Sequence, residues 1–328
     1  MTTRAAIRLF PMIALGLLHT ACGSDTSSPW FVPKGEEAGV DAQVDDVAVE
    51  SAPDAAKDAS SGEPVDDVVK EAAAEADALP PAVTVDDIKQ LAGASACYDY
   101  QWKDRGQAPK GYVQGVALVF ARAVCNPARS DVVVVSEANT GDDAHDALSW
   151  YNSNFAALGM NNDQAGVDTL RHAYTLLLGL GMRESSGEHC CGRDTSATNT
   201  TADTAEAGAW QTSYNSHVFS PELPILFDKY KADSSGCLLD TFSAAVTCSA
   251  TNWENWGSGD GAVFQQLEKE CPAFAAEYAA VMLRVSGGTS GHYGPLRTKA
   301  AEVRPECDEM FHQVQSAVEK NLAACAAL

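Results

Sequence analysis

A glutamate stands where a long apolar segment of the chain gives way to polar residues. The segment Val167–Met182 is nearly continuous in apolar side chains, which recur at helical spacing, and Glu184 follows it closely. Ser185–Gly187 then has the composition of a turn, and small and polar residues continue after it. The pattern predicts a buried helix that ends on an acid and faces a loop.

A carboxyl group in such a place is suited to proton transfer. Apolar surroundings disfavour its charged form, raise its pKa towards neutral pH and allow it to donate a proton. The competing interpretation is an ordinary surface glutamate at a helix end. The length of the apolar run before Glu184 favours a position at the floor of a cleft.

Two short motifs connect this acid to a known family. Arg183–Gly187 reads RESSG and Gly208–Gln211 reads GAWQ. Together they resemble the signature of the lysozyme superfamily, most closely goose-type lysozymes and soluble lytic transglycosylases, in which Glu-Ser-x-x-Gly at a helix end precedes Gly-x-x-Gln. The chain departs from that signature in a longer loop between the motifs, in the vicinal pair Cys190–Cys191 and in Trp210, where an aliphatic residue is usual. The resemblance implies a mainly α, lysozyme-like helical domain with a small loop or β-hairpin region after the catalytic helix.

The resemblance also implies roles for individual residues. Glu184 would be the general acid that protonates a glycosidic oxygen. Gln211 and Tyr214 would hold substrate hydroxyls and an N-acetyl group, and Trp210 would belong to the same substrate-binding set. Tyr293, in the Gly-rich turn near the end of the chain, would correspond to a tyrosine that family members place near the catalytic acid.

A second carboxylate is needed if the enzyme activates water across the sugar plane. The loop after Glu184 offers Asp194, Asp203 and Glu206. Asp203 is the first choice, because goose-type enzymes carry an aspartate in the loop before Gly-x-x-Gln, and Glu206 is the alternative. A lytic transglycosylase needs a single acid, since a hydroxyl of the substrate itself attacks.

Two classes of function fit these residues. The first is an exported glycan-cleaving enzyme, a lytic transglycosylase or lysozyme-type glycoside hydrolase, that acts on peptidoglycan. A chitosanase-like hydrolase of another amino-sugar polymer is a variation, because the formal net charge of −23 attracts a cationic polymer. The second class is a lysozyme-like domain that binds a glycan or a partner without cleaving it.

Charge and cysteine usage argue against other ligands. Phosphate binding needs clustered Lys and Arg, and the acidic chain lacks such a cluster, so we expect no nucleic-acid partner. His189 beside Cys190 and Cys191 suggests a metal, but two adjacent cysteines point poorly at one ion and an exported protein lies in an oxidising compartment. We expect no metal and no cofactor.

The first 22 residues have the layout of a secretory signal. Two arginines precede the apolar run Leu9–Leu18, and small residues then lead to Cys22. The surroundings of Cys22 resemble a bacterial lipobox, which implies an outer-membrane lipoprotein facing the periplasm or the exterior, attached to the membrane through a lipid anchor only. The alternative is cleavage near Ala21 and secretion with a free Cys22.

An acidic linker is predicted over residues 23–83. Between Lys34 and Asp87 there are sixteen acidic residues and three basic ones, and large apolar side chains are scarce. Like-charge repulsion and the small apolar surface both oppose collapse, so this segment is predicted to be disordered. Residues 84–328 then form the lysozyme-like catalytic domain.

The ten cysteines predict disulfides in an exported protein. If Cys22 is lipidated, nine remain, and one of them stays unpaired or pairs between chains. Neighbouring positions suggest Cys97 with Cys125, Cys237 with Cys248, and Cys271 with Cys307.

Apolar spacing predicts several further helices. The clearest cover Gly111–Cys125, Phe274–Val285 and Cys307–Ala324. The four consecutive valines in Asp131–Glu137 fit either a strand or a buried helical turn. Asn252–Gly259 is predicted as a loop whose two tryptophans either stack on sugar rings or cover the core.

Overall fold

The computed structural model of the chain describes residues 83–193, 201–326 and 328. Helices dominate this part of the chain, and the strands within it are short. The α-helices, in chain order from α1 to α13, are Val85–Gly93, Ala96–Asp99, Lys110–Cys125, Ser130–Ser136, Ala147–Trp150, Asn152–Ala157, Val167–Ser185, Glu222–Ala232, Leu239–Phe242, Asp260–Glu270, Pro272–Ser286, Gly294–Arg297 and Pro305–Glu319. Short 3-10 helices cover Tyr214–Phe219, Ala250–Trp253 and Leu322–Ala326.

Helix α7 lies at the centre of the fold. It packs against α3, α4, α11 and α13, and its residues from Thr169 to Met182 are buried except Arg171. Helices α3 and α11 are buried over most of their length too. A helix that is apolar on all sides needs neighbours on all sides, which is why this segment takes the central position. The described residues belong to one compact unit.

The strands form one small sheet before α3. Strand β1, Gln101–Trp102, pairs antiparallel with β2, Gly106–Gln107. After α7, where a loop or hairpin was expected, the described chain is a loop with a single antiparallel bridge between Ala207 and Thr212.

Other expectations from the sequence are resolved by the fold. The valine-rich segment forms helix α4 and not a strand. The segment Asp142–Leu158 forms the short helices α5 and α6, and the Asp146 carboxylate caps α5 by accepting from the Leu148 amide. Within the described ranges, no helix is both long and apolar enough to cross a membrane.

Four disulfides join parts of the chain that are distant in sequence. They are Cys97–Cys307, Cys125–Cys325, Cys190–Cys248 and Cys237–Cys271. The three pairs suggested from sequence are therefore wrong. Helix α13 packs back on α2 and α3, so the C-terminal cysteines reach partners 210 and 200 residues away. Cys191 is disulfide-bonded as well, so the expectation of an unpaired thiol does not hold in the described part.

Candidate active site

The chain turns sharply just after Glu184. Ser186 adopts a left-handed conformation with φ 58°, and its amide donates to the Met182 carbonyl at 3.0 Å. Gly187 continues the turn with φ 77°, and its amide donates to the Gly181 carbonyl. A Cβ at Gly187 would lie 2.8 Å from the Tyr112 ring, so both conformation and space require glycine. Glu184 is thereby held in the last turn of α7.

The two motifs of the sequence meet at this helix end. The Ser185 hydroxyl donates to the Ala209 carbonyl at 2.8 Å, and the Trp210 indole donates to the Leu177 carbonyl at 2.9 Å. Gln211 closes the loop on itself, because its side-chain amide donates to the Gly208 carbonyl at 2.9 Å. The loop at 207–212 is therefore fastened along α7, next to Glu184.

Trp210 has a structural role. Its ring is fully buried, lies 5.7 Å from the Tyr112 ring and donates its only N–H to α7. This burial contradicts the expectation that Trp210 contacts substrate, because a sugar ring has no access to either face. A loop tryptophan shows no periodicity, so the sequence did not reveal that it points inwards.

Glu184 carries a strongly perturbed carboxyl. The residue is partly accessible to solvent, although many protein atoms pack around its carboxyl group. Burial and, after it, the nearby Glu206 carboxyl group raise the pKa of Glu184 to about 8. Three guanidinium groups, those of Arg297, Arg105 and Arg183, act in the opposite direction. Glu184 is consequently protonated at neutral pH.

The arginines around Glu184 are held in place by backbone carbonyls. Arg105 donates to the Arg183 carbonyl at 2.9 Å, in the last turn of α7. Arg297 donates to the carbonyls of Gly291 and His292 at 2.7 and 3.1 Å. These hydrogen bonds fix the two guanidinium groups, whose positive charges lower the pKa of Glu184.

Glu206 faces the site from the opposite loop. Its side chain is largely buried, and its Oε1 lies 3.9 Å from Nε2 of His292. Burial lowers the pKa of His292 to about 4, so the imidazole is neutral at neutral pH. The contact of Glu206 with His292 therefore involves an uncharged imidazole, and the Glu206 carboxyl group acts on Glu184 from the same loop.

Tyr293 joins the same group. The side chain is 1% exposed, and its Oη has no hydrogen-bond partner among the described residues. Burial holds the pKa of this phenol well above its usual range, and the carboxylates of Glu268 and Glu184 raise it further. The structure therefore places Tyr293 near Glu184.

Glu268 was not among the residues singled out from the sequence. It is fully buried on α10, and neither carboxyl oxygen has a hydrogen-bond partner in the described part of the chain. Burial raises the pKa of Glu268 to about 8, an effect that the neighbouring Thr212 hydroxyl only partly offsets. Glu268 follows Phe264 by four residues and so lies on the buried face of α10, which is the signal that would have revealed it.

Gly208 provides the space for Glu268. A Cβ at Gly208 would lie 2.6 Å from the Glu268 carbonyl oxygen and 2.8 Å from Oε2, and the residue has φ 76°. The glycine of the second motif therefore allows the loop at 207–212 to lie directly on α10.

Asp203 and Tyr214 lie in a separate group. The Asp203 side chain is exposed and approaches Gly261, at the start of α10. Tyr214 packs its ring 5.3 Å from the Phe227 ring, and its pKa is raised by burial and by the carboxylates of Asp260 and Asp203. Glu206, and not Asp203, is the carboxylate that acts most strongly on Glu184. Asp194 and Cys22 lie outside the described residues.

One cluster has ligand atoms close enough together for a metal. His189, Cys190 and Cys248 place a nitrogen and two sulfurs within 4.8 Å of one another. Cys190 and Cys248 are joined in a disulfide, so these sulfurs are not thiolates. The cluster is therefore a disulfide packed next to a buried histidine.

Comparison with protein-family models, with curated proteins and with solved structures finds no match to this chain. The site combines a carboxylic acid with a raised pKa on a partly accessible residue, a second carboxyl group and a phenol, and this set can transfer a proton to an oxygen of a bound molecule.

Proposed function

We propose that the chain is an exported enzyme that cleaves the glycan strands of peptidoglycan, with Glu184 as the general acid. The observation that carries the proposal is the junction of the two motifs. Ser185 binds Ala209 directly beside a glutamate whose pKa is about 8. A general acid works best when its pKa is close to the operating pH.

In the proposed reaction, Glu184 donates its proton to the glycosidic oxygen. The bond between that oxygen and the anomeric carbon breaks, and its electron pair stays on the leaving oxygen. Positive charge then develops on the anomeric carbon and the ring oxygen of the sugar. Attack by the sugar's own 6-hydroxyl, whose proton returns to the deprotonated Glu184, gives a 1,6-anhydro end. Attack by water, whose proton goes to a carboxylate that acts as base, gives a reducing end.

We favour the first outcome, lytic transglycosylation. It needs only one acid, and Glu184 is the member of the group that is both protonated and partly accessible. If water attacks instead, we assign Glu206 as its base ahead of Asp203, because Asp203 is exposed and belongs to the separate group around Tyr214.

A second candidate substrate is chitosan. The formal net charge of −23 repels anionic wall polymers and attracts a polymer of protonated amino sugars. The reaction and the role of Glu184 would be the same. Binding of either polymer without cleavage is the competing function.

Mass spectrometry of the products decides among these functions. Purified protein is incubated with peptidoglycan and with chitosan, and the Glu184→Gln variant is the control. Anhydro-muropeptides that only the wild type produces support the proposal, and glucosamine oligomers support chitosan as the substrate. Binding of both polymers without any product would leave only the binding function.

Export is part of the proposal. The disulfides of the described part are compatible with an oxidising compartment. Anchoring through Cys22 is proposed from the sequence alone and requires that the Cys22 thiol is not in a disulfide, with secretion without an anchor as the alternative. Cys22→Ala tests it, because a lipoprotein would then lose its membrane association.

A further inference from the structure

Two tryptophans on one loop are held at the surface. Trp253 and Trp256 follow the disulfide-bonded Cys248, and their side chains are 38% and 42% exposed. A loop that only covers the core would turn both indoles inwards, because each large ring gains free energy from burial. The exposure of both rings therefore needs a reason.

Buried polar side chains fix this loop from below. Gln265 accepts from the Trp256 amide at 2.7 Å and donates to the Trp256 carbonyl at 3.1 Å. Lys269, one turn further along α10, donates from Nζ to the carbonyls of Asn252 and Glu254 at 2.9 and 2.8 Å. Gln265 and Lys269 are each 1% exposed. Burying an ammonium and an amide is unfavourable unless they are fully hydrogen-bonded, so these contacts specify one loop conformation.

The loop is tied to the segments that carry the candidate active site. Gln265 also donates to the Ala202 carbonyl at 3.0 Å, four residues before Glu206. The Trp253 ring lies 5.8 Å from the ring of His189, and the disulfide Cys190–Cys248 joins the same two segments. The aromatic loop thus has a fixed position relative to the chain on both sides of the site.

A cation lies against the second indole. The guanidinium carbon of Arg193 is 4.1 Å from the centre of the Trp256 ring. This cation–π contact holds the guanidinium over the indole ring. In a chain with a formal net charge of −23, a positioned arginine selects for negative charge on a ligand.

We propose that Trp253, Trp256 and Arg193 form a distal sugar subsite for an amino sugar that carries a carboxylate. The indoles contact the apolar face of a sugar ring, and the guanidinium pairs with the carboxylate of a lactyl group or an attached peptide. The inference rests on the proposed function and refines it, because the subsite favours peptidoglycan over chitosan.

Binding without turnover tests the subsite. In the Glu184→Gln background, isothermal titration calorimetry compares a soluble peptidoglycan oligosaccharide with an uncharged N-acetylglucosamine oligomer of equal length. Arg193→Gln weakens binding of the carboxylate-bearing oligomer about tenfold and leaves the uncharged one unchanged, because one guanidinium–carboxylate pair is lost. Trp253→Ala with Trp256→Ala weakens binding of both about tenfold or more.

The control is Phe219→Ala, which removes another exposed aromatic ring and leaves both affinities unchanged. Circular dichroism melts of every variant confirm that the fold is intact. Unchanged affinity in the tryptophan variant, or equal loss for both oligomers in Arg193→Gln, would overturn the subsite even if the wild type cleaves peptidoglycan. Failure of cleavage with the expected binding pattern would overturn the proposed function alone.

Discussion

The hydroxyl of Ser185 donates a hydrogen bond of 2.8 Å to the carbonyl of Ala209, 24 residues further along the chain. The same hydroxyl lies 3.1 Å from the Gly181 carbonyl oxygen, so its single proton is shared between α7 and the loop at 207–212. The serine next to Glu184 therefore determines where the second motif lies.

Ser185→Ala removes this bridge. The Ala209 carbonyl is then buried without its partner, and we expect a loss of about 1–3 kcal/mol in the free energy of unfolding, together with lower activity. Urea unfolding and a cleavage assay measure the two effects. Ser234→Ala, at an exposed serine, is the matched control. Equal stability and activity in both variants would show that the bridge is dispensable.

Glu184→Gln keeps the size of the side chain but removes its proton. We expect cleavage to fall by about 10²–10⁴-fold with an unchanged melting profile, because general acid catalysis contributes that much.

Glu206→Gln separates the two routes. A hydrolase that uses Glu206 as its base loses nearly all turnover, whereas a transglycosylase retains much of it. Asp203→Asn, at an exposed position, has the smaller effect in either case. A greater loss in Asp203→Asn than in Glu206→Gln would restore Asp203 as the second carboxylate.

The pH profile of cleavage reports the state of Glu184. Because the acid must be protonated and its pKa is about 8, activity falls as the pH rises through about 8. Glu206→Gln removes a negative charge that raises this pKa, so the alkaline limb of the residual activity moves to lower pH. Arg297→Gln removes a positive charge that lowers the pKa, so the limb moves to higher pH. If the alkaline limb moved in the same direction in both variants, Glu206 and Arg297 would not have the opposite effects on the pKa of Glu184 that are assigned to them.

Two kinds of feature could be predicted from the sequence: helices with a regular apolar spacing, and residues that belong to the two short motifs. Apolar spacing indicated α7 and α11 within two or three residues at each end. The motif placed Glu184 and Gly208 in one site, and the structure shows the two motifs in contact.

The remaining features depend on contacts between distant segments. Glu268 gains its environment only because α10 lies on Gly208, and no local pattern reports that packing. Pairing of Cys97 with Cys307 follows from the return of α13 to α2, whereas sequence reasoning favours nearby partners. Trp210 is another such case, since its direction is set by a carbonyl of α7.

Two disulfides are expected to have different effects when removed. Cys190–Cys248 closes a separation of 58 residues and holds the tryptophan loop, whereas Cys125–Cys325 closes 200 residues and lies at the end of the chain. Constraint of the unfolded chain grows with loop length, so Cys125→Ser with Cys325→Ser has the greater effect on the melting temperature. Cys190→Ser with Cys248→Ser has the greater effect on glycan affinity. Calorimetry of unfolding and of binding measures both, and the reverse order of either effect would contradict the assignment.

Glu268→Gln provides a stability test that is independent of the substrate. The pKa of Glu268 is about 8 in the folded protein and near its ordinary value of 4.5 in the unfolded chain. The folded state therefore binds an extra proton between these values, and the wild type loses stability as the pH rises from about 4.5 to about 8. Each unit of difference in pKa corresponds to about 1.4 kcal/mol. Glutamine has no proton to lose, so the variant matches the wild type near pH 4 and becomes more stable by several kcal/mol at pH 8.

Urea unfolding across this range measures the difference, with Glu270→Gln on the exposed side of α10 as control. A constant difference between variant and wild type at all pH values would mean that Glu268 is not a buried, neutral acid.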